Sequence, residues 1–139
     1  MKWVTWGNVG VDRMACSWLI KKWIDSEAEF LFVLIGQNPL PEEAEPFDIP
    51  GVRLSHRRGH CTFHTMLREF KIKDPVLERI AQIVDEADTI QEAFLEPIAP
   101  GLDFICDGIR LTSPDDITAL ERGSIIFDAL YAQLSAKLQ

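Results

Sequence analysis

The sequence has little of what extracellular or metal-ribbon scaffolds are built from. Its cysteines are only three, Cys16, Cys61 and Cys106, with no CxxC spacing, which excludes a disulfide framework or a zinc ribbon and points to a reducing, cytoplasmic setting. Basic residues are outnumbered, 14 against 22 acidic, so the formal charge is -8 and the sequence pI about 4.8. Such a field repels phosphate backbones, and the pairs Lys21-Lys22 and Arg57-Arg58 are too small a basic footprint for nucleic acid. No apolar run reaches the roughly 20 residues of a membrane span. The N-terminal apolar stretch is interrupted by Thr5, Asn8 and Asp12, so no signal peptide is expected. Four tryptophans, Trp3, Trp6, Trp18 and Trp23, are too dispersed for a stacking platform and read as packing.

What remains is an ordinary globular composition, 47% hydrophobic, in 139 residues with no internal repeat. One domain covering 1-139 is expected. "KWVTW" (2 to 6) reads as a strand, and "EFLFVLI" (29 to 35), bounded by Gly36, as a strand covered on both faces. Between them Cys16, Leu19, Ile20, Trp23 and Ile24 recur at helical spacing after an Asp12 N-cap, predicting a helix over about 13 to 25. The order suggests a βαβ unit, with an antiparallel arrangement still open.

"NPLPEEAEP" (38 to 46) reads as a solvated loop, and the alternation in "GVRLSH" (51 to 56) as a half-buried strand carrying Val52, Leu54 and His56 inward. Thr62 is placed to cap a helix with Phe63, Met66, Leu67 and Phe70 on its apolar stripe. Asp74 then Pro75 predicts a helix to about Asp88. "GLDFICDGIRL" (101 to 111) reads as a short helix with Cys106 in the core beside Phe104, Ile105 and Ile109. Ser113 and Pro114 open a last helix that passes Tyr131. The sum is an α+β fold, helix-rich over a small β-sheet.

Candidate site residues are polar groups where the pattern calls for apolar ones, since their burial needs a partner or ligand. Arg13 lies at the edge of the Cys16 stripe, and a helix dipole plus Arg13 would favour a Cys16 thiolate. Alternatively, Cys16 is a core residue and Arg13 snorkels. Asp88 ends the Leu77, Ala81, Val84 seam, from which Asp85 and Glu86 point away. It suits a metal, a pairing with Arg13 or His56, or a cap on "DTIQE". His56 and Cys61 are a ligand pair for zinc or iron, a base with its thiol, or an inert pair. The even spacing of His56, His60 and His64 suggests one helical face, but Gly59 breaks it, leaving His60 in a turn and His64 on a helix flank, both solvated.

The chain resembles the chromate-resistance family, the domain forming the C-terminal half of ChrB-type proteins. The likeness runs through "DRMACSWLI" (12 to 20), "WIDSEAEFLFV" (23 to 33), "FDIPGVRLSH" (47 to 56), "CTF" (61 to 63), "ADT" (87 to 89) and "DALY" (128 to 131). The family's recurring polar positions fall on Asp12, Arg13, Cys16, Asp48, His56, Cys61, Asp88, Asp116 and Asp128. Ser17 stands where the family usually has proline, and His64 where relatives are often acidic. ChrB-type regulators carry an additional N-terminal portion associated with DNA binding, so no nucleic acid is expected as a partner of this chain alone. The leading expectation is a pocket of Arg13, Cys16, His56, Cys61 and Asp88. A divalent metal ion, zinc or iron, would take His56, Cys61 and Asp88, and a chromate-like oxyanion Arg13 and Cys16. A thiol-dependent redox or sulfur-transfer enzyme using Cys16 or Cys61 is the alternative, and a non-catalytic interaction module, such as a homodimer, the second. No nucleotide cofactor and no membrane are expected.

Overall fold

A computed structural model describes residues 1 to 138. The elements, in order, are β1 (Lys2–Trp6), α1 (Val11–Leu19) running into a π-helical turn (Ile20–Ile24), β2 (Glu29–Val33), β3 (Ala44–Pro46), α2 (Thr62–Glu69), α3 (Pro75–Asp88), α4 (Ile98–Thr112) and α5 (Asp116–Lys137). The α+β reading is correct. The sheet has the order β2-β1-β3, and both pairings are parallel, with Val4 opposite Leu31 on one side and Pro46 on the other. The β1-α1-β2 segment is therefore a βαβ unit, which closes the antiparallel alternative.

Alternation divides the sheet. Trp3, Phe30 and Phe32 join the main core under the helices, while Val4, Trp6, Leu31, Val33 and Ala44 form a smaller cluster on the other face with Leu40. β2 stops at Val33, so Leu34 and Ile35 are exposed rather than strand residues covered on both faces. The π turn is marked by the Asp25 N–H reaching back five residues to the Ile20 carbonyl at 2.7 Å. This wider turn brings residues five apart onto one side, and Trp18 meets Trp23 with ring centroids 5.1 Å apart. Trp3 and Trp18 are core, as expected, but Trp23 is 38% exposed.

Two assignments after β2 change, one of a loop and one of a strand. The proline- and glutamate-rich stretch ends in β3, an edge strand where Pro46 has no ladder donor to lose. The 51 to 56 segment is not a strand; bends and turns carry it, with one bridge between Phe47 and Leu54 and a left-handed Gly51 at φ 91°. Helix caps also shift. Asp74 accepts from the Val76 and Leu77 N–H groups as expected. The last helix, however, is capped by Asp115, which accepts from Thr118 N–H, not by Ser113. On α4, which is longer than expected, Cys106 is buried, yet Phe104 and Ile105 face solvent. No described helix is long and apolar enough to cross a membrane.

Candidate functional site

The site forms where the start of α1, the end of α3 and the 47 to 56 connection meet the N-terminus of α2. α1 begins at Val11 with Gly10 as its N-cap, so Asp12 does not cap its own helix. It is buried and caps another: its carboxylate accepts from Thr62 N–H at 2.8 Å and Phe63 N–H at 3.1 Å, the first two residues of α2. Thr62 is thus not the cap. Its hydroxyl donates to Asp48 Oδ1 at 2.6 Å, and Cys61 holds the N-cap position. The Cys61 N–H goes to a second buried carboxylate, Asp85, at 2.8 Å. Asp85 and Glu86 do not point to solvent, because α3 packs against α1, α2, α4 and α5 and has little free face.

Above this base sits His56. Its Nε2 is 3.1 Å from Asp12 Oδ2, 3.1 Å from Asp88 Oδ2 and 3.5 Å from Asp48 Oδ1. Hydrogen bonding to Asp12 and then to Asp88 pushes the imidazole up to about 10, so it is a cation at neutral pH. Asp48 moves up as well, by burial and then by the charge of Asp12, with Arg13 opposing. Its backbone is left-handed at φ 52°, a conformation that aspartate adopts more readily than most residues other than glycine. One oxygen from each of Asp12 and Asp48 and one ring nitrogen of His56 lie within 4.8 Å of one another.

The cluster opens on a cleft of about 510 Å³ whose lining also includes Trp6 and Arg13. Arg13 does not snorkel to solvent. Its Nε is 3.1 Å from Thr5 Oγ1 and 3.2 Å from Asp48 Oδ2, its Nη2 donates to the Asp48 carbonyl at 2.9 Å, and its guanidinium lies 5.6 Å from the centre of the Trp6 ring. The Trp6 indole N–H is buried without a hydrogen-bond partner among the described residues.

Of the five residues expected in one pocket, Arg13, His56 and Asp88 line the cleft, and the two cysteines do not. Cys16 lies beyond the first turn of α1, buried, with its thiol donating to Asp12 Oδ1 at 3.5 Å; burial first, then Asp12, raise it well above an ordinary thiol. Cys61 directs its thiol to the Ala81 carbonyl at 3.9 Å and is raised for the same two reasons. The dipole and Arg13 therefore do not produce a thiolate; desolvation and an adjacent carboxylate outweigh them. The group of possible ligand side chains whose donor atoms cluster among the described residues is Asp12, Asp48 and His56, without Cys61.

His60, read as solvated, is half-buried. Its Nδ1 is 2.6 Å from Asp85 Oδ2, and its ring stacks on His64 at 3.7 Å. Asp116 accepts from the Asn8 and Val9 N–H groups, and Asp128 from the Trp18 indole, so these two hold the fold away from the cleft. Periodicity passed over Asp12 and Asp48 as site residues. The signal for Asp12 was a carboxylate between Val11 and Met14, legible once the helix is started at Val11.

A family model described as ChrB, C-terminal domain, matches residues 3–134. Protein ChrB of Cupriavidus metallidurans is 31% identical over 136 residues, covering 97% of this chain and 41% of that protein. This chain thus spans about two fifths of that relative's length. No solved structure matches.

Proposed function

The chain belongs to the chromate-resistance family of ChrB C-terminal domains, and from that premise we propose that it binds a divalent first-row metal ion, zinc or iron, through Asp12, Asp48 and His56, with Asp88 as a further carboxylate beside the same imidazole nitrogen. One observation carries this reading: three carboxylates converge on a single nitrogen, which the molecule now satisfies with a protonated imidazole. A metal cation answers the same charge with more of it. Carboxylate oxygens with one imidazole suit a borderline ion rather than a soft one, and neither buried thiol is needed.

The same geometry disfavours a bare dianion at this point, since carboxylates surround it and Arg13 is already engaged by Asp48. A chromate-like oxyanion fits only as a companion of the bound cation, on the cleft side where Arg13 and Trp6 stand. The metal would supply Lewis acidity there; Asp48 orients Arg13, and Asp12 joins the metal to the start of α2.

Calorimetric titration of chelator-stripped protein with zinc and with iron(II) tests the proposal. Wild type is expected to bind near one equivalent. His56→Ala should abolish tight binding, and Asp88→Asn, which removes one of the three carboxylates facing that nitrogen, should weaken it without abolishing it. No heat of binding in wild type, or the same affinity in His56→Ala, refutes the assignment.

A further inference from the structure

The outer face of α4 has no function in the chain itself. At 100° per residue, Gly101, Phe104, Ile105 and Leu111 all fall within about 60° of Gly108, while the charged residues Asp103, Asp107 and Arg110 lie about 100° or more away. The result is an uncharged stripe on a chain of net charge -8. Its side chains are open, with Phe104 70%, Ile105 56% and Leu111 79% exposed.

The two glycines are the second observation. Glycine is the poorest helix former after proline, so one inside a helix needs a reason. Within this chain there is none: a Cβ added at Gly101 or at Gly108 meets nothing within 4 Å. Their absent side chains leave two holes in the stripe, spaced seven residues apart, with Phe104 and Leu111 as the large residues at the alternate positions.

We propose that this face is a homodimer interface in which α4 packs antiparallel against α4 of a second copy. A two-fold axis at the level of Cys106 sets Phe104 opposite Gly108 of the other copy, and Leu111 opposite Gly101, so both large residues meet both holes at once. The register is self-complementary, as an isologous contact requires. A second copy carries the same net charge, and a stripe free of charges is where two acidic chains meet with least repulsion. Together with Ile98 on the same helix, and Phe94 and Leu95 just before it, these residues expose on the order of 700 Å² of apolar surface. A standard interface takes about 600–1,000 Å² from each partner, and the face falls within that range. The proposal does not depend on the metal site.

Sedimentation equilibrium on the full chain is the test. Wild type should dissociate reversibly from twice 15.8 kDa to 15.8 kDa on dilution. Phe104→Glu and Gly108→Leu, both on solvent-exposed or open positions of the monomer, should each weaken the dimer by about 30-fold or more, as loss of a central anchor does. Circular dichroism should show both variants folded. The register is read separately: Gly101→Cys combined with Leu111→Cys should cross-link between copies on oxidation. A wild type that stays monomeric at every concentration overturns the proposal and leaves the face to a different partner. Dimers that survive both substitutions, or a double cysteine variant that never cross-links, overturn it too.

Discussion

Replacing Asp12 with alanine isolates the part of the site that the fold depends on. The carboxylate accepts two buried N–H groups at the start of α2, at 2.8 and 3.1 Å, and without it neither donor has an acceptor from that residue. An orphaned buried donor costs about 1–3 kcal/mol, and losing a negative charge at a helix N-terminus about 0.3–1 kcal/mol more. Against this stands relief of the repulsion that Asp12 exerts on Asp48. The expected net loss is roughly 3–5 kcal/mol, a large share of a typical stability of about 5–15 kcal/mol. Urea unfolding with a chelator present measures it as a lower midpoint with an unchanged slope. Asp88→Asn is the control. It touches the same His56 nitrogen but lies in a half-exposed pair, and its change in stability should stay within about 1 kcal/mol. A loss below about 1 kcal/mol for Asp12→Ala, or equal losses for both variants, would refute the view that Asp12 caps α2.

Two other expectations concern packing and thiol chemistry. A Cβ at Gly123 would stand 2.9 Å from Met14 Sδ and 3.2 Å from its Cβ, where α5 crosses α1, so Gly123→Ala should lower the unfolding midpoint by an overpacking cost of about 1–3 kcal/mol. Burial raises all three thiols, Cys106 to about 12, so alkylation of the native protein should stay slow across neutral and mildly alkaline pH and become fast only on unfolding. One rapidly alkylated native cysteine at neutral pH would restore the thiol-enzyme reading.

The sequence by itself determined what depends on neighbours along the chain. Strand β1, the Asp74-Pro75 start of α3 and the α+β class all follow from local pattern, since an N-cap bond or a strand's alternation is closed within a few residues. It also marked Arg13, His56 and Asp88 as polar groups in unusual places, because desolvation cost is written in the residue type. Tertiary structure alone decided which charges meet. Asp12 reaches across 50 residues to cap α2, and Asp48 enters the cluster on a left-handed turn that hydropathy cannot register. It also decided against the thiols, because a pKa depends on burial and on charges contributed by other elements: Asp12 stands beside Cys16, and both Asp12 and Asp85 raise Cys61.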